Sequence, residues 1–234
     1  MSSSTTTRSD IAVRDVRFGY GEGGFSLGVE SLDVPAGTTA VCIGPSGSGK
    51  TTLLNLMAGI LLPEAGSVSL GGVDWGSLAD GQRRLRRISE IGLVFQEFEL
   101  LEHLSVRENI LLPYYVQPAL KLTAEAETHA RELAQVAGIE ALLGRKPRAL
   151  SQGERQRVAI CRALVAQPTV VLADEPTGNL DPNTTSVVLD LLLGQVRQRG
   201  ATLIMVTHDH GLVSSFDRVI EFEAGPDGAT VKRS

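Results

Sequence analysis

Residues 38–51 read TTAVCIGPSGSGKT, and the residues that follow, 52–59, read TLLNLMAG. A short apolar run rich in β-branched side chains reads as a buried strand, and the spacing of the leucines after residue 51 reads as a helix. Between them Gly44 to Thr51 fits the pattern Gly-x-x-x-x-Gly-Lys-Ser/Thr, in the strand-to-helix setting that gives that pattern its chemistry. Its glycines let successive backbone N–H groups close around phosphate oxygens, and the helix start adds its positive dipole end. Lys50 is then placed to reach the β- and γ-phosphates of a nucleoside triphosphate, and the Thr51 hydroxyl to ligate Mg2+. The candidate nucleotide contacts are Gly44, Pro45, Ser46, Gly47, Ser48, Gly49, Lys50, Thr51 and the adjoining Thr52.

Further along, VVLADE ends a second buried run at Asp174 and Glu175. At the carboxyl end of a parallel strand, Asp174 can hold the magnesium shell. Glu175, beside a metal-bound triphosphate, is the natural base for an attacking water.

The rest of the chain arranges itself around these two runs. Residues 11–18 and 25–34 alternate apolar and polar side chains on either side of GYGEGG, as a hairpin or neighbouring strands do. SVSL is strand-like, 77–89 is a polar helix and IGLVF at 91–95 is again a strand. From about 97 to 150 the pattern turns helical, and strands resume at 169–174, 202–207 and 218–223. The expected fold is α/β: a phosphate-loop core with an N-terminal antiparallel β subdomain and a helical subdomain, about 97–165, inserted in it. One main domain over 11–234 suits 234 residues that are 42% hydrophobic. Residues 1–10, Ser/Thr-rich and without an apolar leader segment, read as a disordered tail, which points to a cytoplasmic chain.

Composition narrows the function classes. The net charge is −5, so bulk nucleic-acid binding is not expected. The one dense basic cluster, RRLRR at 83–87, reads as a solvated helix face. Cys42 and Cys161 read as buried thiols rather than ligands. His103, His129 and His210 match no motif and read as surface residues.

With those motifs in order, the sequence closely resembles the ATP-binding subunits of ABC transporters from Ile11 to Glu223. The resemblance implies a role for residues that are weak evidence singly: Tyr20 alone is equally a turn aromatic, Gln96 a surface amide, His208 a capping or core histidine. In the family's pattern Tyr20 stacks on adenine and Gln96 is the loop glutamine that serves both catalysis and the metal. Leu150-Ser-Gln-Gly-Glu154 takes the place of the signature, Leu180-Asp181 that of the D-loop and His208 that of the switch histidine. Ser151 and Gly153 then contact phosphate, and Asp181 lies at the nucleotide interface. The signature departs from Leu-Ser-Gly-Gly-Gln at Gln152 and Glu154, and the glutamate suits a helix cap. LADEPTGNLD with GERQRVAICRAL looks like the branch serving lipoprotein-releasing, macrolide- or peptide-exporting and cell-division permeases.

The resemblance implies ATP and Mg2+ as ligands, two copies around two ATP, separate membrane permease subunits as partners, and a peripheral position on the inner face of the cell membrane. Leu100, Leu101, Leu104, Tyr114 and Tyr115 are candidates to receive a short permease helix in a groove. A soluble ATPase scaffold of the same fold is the alternative. A small-molecule kinase leaves Ser151, Asp181 and His208 without a task.

Overall fold

The first alternating segment forms β1 (Ser9–Gly19), antiparallel to β2 (Ser26–Pro35), with Val13 opposite Leu32 and Val16 opposite Val29. In this computed structural model, which describes residues 9–21, 25–225 and 228–232, the strand takes in Ser9 and Asp10, which the sequence assigns to a tail. The reason is a distant partner: the Asp10 carboxylate accepts the Thr202 hydroxyl proton at 2.5 Å, and that hydroxyl accepts the Gly37 N–H at 2.8 Å. Residues 1–8 and 22–24 lie outside the described residues.

Next come β3 (Thr39–Ile43), buried at every position, and α1 (Lys50–Met57). They are followed by β4 (Ala65–Leu70), β5 (Val73–Asp74), α2 (Asp80–Glu90) and β6 (Ile91–Val94). Between β6 and the next strand the chain is helical: α3 (Val106–Ile110), α4 (Leu112–Val116), α5 (Ala124–Val136) and α6 (Gln152–Leu164). The core resumes with β7 (Val170–Asp174), α7 (Pro182–Arg199), β8 (Thr202–Val206), β9 (Arg218–Gly225) and β10 (Gly228–Lys232).

Among the described residues ten strands form one sheet in the order β5-β4-β1-β2-β10-β9-β3-β8-β7-β6. From β9 to β6 the neighbours run parallel; β3, β8, β7 and β6 are apolar between their end residues, as strands covered on both faces are, whereas β9 alternates buried Ile220 and Phe222 with exposed Glu221 and Glu223. β10, which the sequence reading did not anticipate, pairs antiparallel with β9 and parallel with β2 and so joins the two halves of the sheet. Its sequence GATVK, with only Ala229 and Val231 apolar, is too short and too weakly apolar to announce it. Successive residues of β7 and β8 feed opposite cores: Val171, Ala173, Leu203 and Met205 pack with Ile110, Leu133 and Val158, while Val170, Leu172, Ile204 and Val206 pack with Leu53, Leu56 and Trp75.

The RRLRR segment of α2 is more than a solvated face. Arg83 donates to the Leu78 carbonyl, Arg86 to Leu70 O and to both oxygens of Glu90, and Arg87 to Ala58 O and Gly59 O at the end of α1. Arg86 also lies over the fully buried Trp75, 5.6 Å from the ring centroid. Only Arg84, paired with the exposed Asp80, matches the expectation. Orphan carbonyls at a helix end attract cations, a need the local sequence does not display. His129 also departs: its ring is half-buried, with Arg199 Nη2 2.8 Å from Nε2, and burial foremost lowers its pKa.

At Gly92 in β6 a Cβ would collide with the Ala163 carbonyl of α6 and meet Pro168 Cγ at 3.1 Å. A helix backbone on one side and a rigid proline ring on the other leave no flexible side chain to give way. Gly92→Ala is expected to destabilise the protein by about 1–3 kcal/mol, the usual cost of overpacking, read as a lower midpoint in denaturant unfolding with unchanged slope.

Candidate functional site

Four neighbouring parallel strands each deliver one group at their carboxyl ends. β3 leads into the glycine-rich loop, β8 to His208, β7 to Asp174 and Glu175, and β6 to Gln96. The register is held by main-chain bonds past the strand ends, from Thr207 N–H to Cys42 O and from Glu175 N–H to Val206 O. Tyr20, Ser46, Gly47, Ser48, Gly49, Lys50, Thr51, Thr52, Gln96 and Glu175 line one open cleft of about 830 Å³.

The loop is built as an anion cradle. Gly49 is the N-cap of α1 at φ 84°, a left-handed conformation that a side chain resists, and a Cβ there would meet Phe25 Cζ at 2.5 Å. No side chain caps this helix start, so its first-turn N–H groups point at the cleft. Lys50 is buried, 6% exposed, and donates to the carbonyls of Gly44 (2.9 Å) and Pro45 (2.8 Å). Tyr20 is 55% exposed at the cleft mouth, its ring edge-on to Phe18 and its hydroxyl 3.4 Å from Thr52 Oγ1.

The carboxylates differ in environment. Asp174 hydrogen-bonds the Thr51 hydroxyl, while its Oδ1 is buried without a partner. Burial foremost pushes its pKa up and Glu175 adds to that, against the Thr51 bond and the Lys50 charge. A partnerless buried oxygen beside a hydroxyl fits a hard cation that completes its shell with water and phosphate oxygens. Among the described residues no group of three or more His, Cys, Asp and Glu could hold a metal. Glu175 sits at φ 44°, a strained position for a non-glycine residue. Its Oε2 accepts a hydrogen bond from His208 Nδ1 at 2.8 Å, and the His208 ring is 64% exposed.

Ser151, Gly153 and Asp181 do not line this cleft. Ser151 is the N-cap of α6: its Oγ accepts the Glu154 N–H at 3.3 Å, and Glu154 Oε2 accepts from Ser151 N–H (2.7 Å) and from the hydroxyl (2.9 Å). This capping box holds Glu154 below the usual carboxylate range and keeps the helix start regular despite Gln152. Gln152 faces a separate hollow with Gln96, Glu97, Glu99 and Asn179. Asp181 caps α7, accepting from Asn183 N–H, Thr184 N–H and the Thr184 hydroxyl, bonds that lower its pKa. A Cβ on Gly153 would meet Thr184 Cγ2 at 2.5 Å, so that glycine is also required by the fit of α6 against α7. Both thiols are buried, and burial pushes each up to about 12.

Sequence reasoning missed an apolar groove of about 840 Å³ between α2, β6, α4 and α6, lined among others by Ile88, Leu93, Phe95, Leu112 and Val116 with Arg87 and Arg162. None of the five residues expected to receive a permease helix lines it. Leu100 and Tyr114 pack against the helical core instead, the tyrosine hydroxyl donating to Val165 O at 3.1 Å.

Comparison with known proteins agrees with this geometry. The ABC transporter family profile matches residues 27–178. The chain is 43% identical to the lipoprotein-releasing system ATP-binding protein LolD of Legionella pneumophila (strain Paris), over 83% of this chain and 85% of that one. It is 44% identical to LolD of Chromohalobacter salexigens, over 83% and 81% respectively. Among solved structures, the dimeric post-hydrolysis state of the ATP-binding cassette MJ0796 bound to ADP and Pi superposes with a TM-score of 0.84 at 33% identity, covering 95% of this chain and 97% of that one. CbiO1 from Clostridium perfringens, part of the ABC transporter complex cbiONQ, reaches a TM-score of 0.84 at 28% identity, covering 97% and 88%.

A raised folded-state pKa means that the Asp174 proton stabilises the fold below the unfolded carboxyl value near 3.9, and that this contribution is lost as pH rises through the folded value. Asp174→Asn is therefore expected to raise the melting temperature of metal-free protein at neutral pH, with the gain vanishing in acid. The same variant should lose the extra thermal stabilisation that Mg2+ adds to nucleotide. Thermal melts across pH, with and without Mg2+, measure both.

Proposed function

The chain belongs to the ABC transporter family as an ATP-binding, ATP-hydrolysing subunit, and from that membership we propose that it is the motor of a permease of lipoprotein-releasing or related exporting type. The observation that carries the arrangement is the division of the motifs. One cleft gathers Tyr20, Lys50, Thr51, Gln96 and Glu175, while Ser151, Gly153 and Asp181 stand outside it at the starts of α6 and α7. A site with a complete phosphate cradle has no need of a second set of donors from its own chain, so these serve the nucleotide of a second copy.

Within each site Tyr20 offers its exposed face to adenine, and the loop N–H groups take the phosphates. Lys50 exchanges its two loop carbonyls for β- and γ-phosphate oxygens. Thr51, Asp174 and Gln96 are the residues that would hold Mg2+, which supplies charge neutralisation at the transferring phosphoryl group. Glu175 receives the proton of the attacking water, and His208 keeps its carboxylate aimed. The partner contact is the apolar groove beside β6, which suits a short apolar helix of the permease. With the permease as partner we assign the chain a peripheral place at the inner face; no helix among the described residues is long and apolar enough to cross a membrane.

Glu175→Gln keeps the shape and removes the base, so turnover should fall by on the order of 100-fold or more while ATP binding persists and a closed dimer accumulates. Size-exclusion chromatography with Mg-ATP reads this; a monomer that still hydrolyses would remove Glu175 from the reaction. Mixing Lys50→Ala chains with Ser151→Arg chains tests the shared site. A head-to-tail pair places both lesions in one site and leaves the other whole, so ATP-dependent dimerisation should return. No dimer despite demonstrated mixing would refute the sharing.

A further inference from the structure

The described residues contain two buried cations, Lys50 and Arg162. Lys50 belongs to the phosphate cradle; Arg162, near the end of α6 and 9% exposed, lies in the wall of the apolar groove and outside the nucleotide cleft. Its guanidinium donates to two consecutive main-chain carbonyls, Nη2 to Phe98 O at 2.8 Å and Nη1 to Glu99 O. Glu99 is held at φ 49°, a conformation a non-glycine residue keeps only when its surroundings impose it. These carbonyls lie just past Gln96, in a segment with no helix or strand of its own between β6 and α3.

That segment is pinned twice. Beyond the arginine, the buried Asn109 side chain accepts the Leu101 N–H at 2.8 Å and donates to the Leu101, Leu104 and Ser105 carbonyls. Before it, β6 ends at Val94. Gln96 thus hangs on a short span whose far end is set by the arginine fork.

We propose that Arg162 is a positioning residue for ATP hydrolysis: by gripping the Phe98 and Glu99 carbonyls it holds Gln96 facing the nucleotide cleft, and it ties the helix that serves the partner's nucleotide to the glutamine that serves its own. The proposal rests on the roles given above to Gln96 and α6. A planar fork with parallel donors meets two adjacent carbonyls at once, which an ammonium on a flexible stem does not. Burial foremost lowers the Arg162 pKa and the Glu99 charge opposes it; the two carbonyls compensate the buried charge where no carboxylate pairs with it directly.

The test is a double-mutant cycle on the full chain with Arg162→Lys and Gln96→Ala, reading kcat, KM for ATP and the Mg2+ concentration for half-maximal hydrolysis. A misplaced catalytic group should cost on the order of 10-fold or more in kcat. Arg162→Lys is expected to show that loss with a raised Mg2+ requirement and little change in KM, and to cost nothing further in the Gln96→Ala background. Asn109→Ala, which loosens the segment beyond the clamp, should lower the melting temperature and leave the Mg2+ requirement alone. Should the lysine variant not fold, Arg162→Gln, with one amide donor group, takes its place in the cycle. Additive effects, or an Arg162 variant that only melts earlier, would overturn the proposal while Gln96 keeps its role. A Gln96→Ala chain with a normal Mg2+ requirement would overturn both.

Discussion

Everything in the site depends on the parallel pairing of β3, β8, β7 and β6. Cys42 stands opposite Val206, Val206 opposite Asp174, and Val94 opposite Ala173. The four strands therefore end at nearly one level, and the residues just past those ends face a common edge. Parallel strands in an open sheet leave their carboxyl ends free for ligands, because the returning helices occupy the two faces. The buried strands are short and apolar, so a slip of register would expose them and bury a polar end residue. The geometry of the cleft is thus stabilised by the same burial that stabilises the core.

A second dependence runs through α6. Its start carries Ser151 and Gly153, closed by the Glu154 capping box and fitted against Thr184 on α7. Its middle packs Val158, Ile160 and Cys161 into the helical core, and its end presents Arg162 to the segment after Gln96. One helix consequently joins three parts of the molecule: the Ser151–Gly153 turn, the core of the helical lobe and the segment that follows Gln96. Gly92 on β6 allows the Ala163 backbone to approach the sheet closely, which fixes the depth at which the helix sits.

Cations in this protein are used chiefly as carbonyl acceptors' partners rather than in surface ion pairs. Arg83, Arg86, Arg87 and Arg162 all end on main-chain oxygens, and Lys50 does so within the phosphate loop. Two of these, Arg87 and Arg162, lie in the wall of the apolar groove beside β6. Arg87 closes the far end of α1, the helix that begins at the phosphate loop. Arg162 closes on the segment after Gln96. An occupant of the groove would meet both arms, and each leads to an element of the nucleotide cleft.

The phosphate loop, the Asp174–Glu175 pair and the strand-to-helix alternation were legible in the sequence by itself, because each rests on neighbours a few residues apart. A buried apolar run, a glycine cluster and a lysine at fixed spacing allow few other uses. The helical stretch after residue 97 was legible for the same reason. Resemblance, rather than local chemistry, singled out Tyr20, Gln96, Ser151, Asp181 and His208. Only the tertiary structure decided which of these share a cleft and which stand apart from it. It also ordered Asp10 through Thr202, recruited β10 to join the sheet halves, half-buried His129, turned Arg83, Arg86 and Arg87 of α2 inward and set the groove beside β6 rather than around Leu100 and Tyr114. Each of those outcomes depends on a group tens of residues away satisfying a carbonyl, a hydroxyl or an apolar surface, and local periodicity carries no record of such a partner.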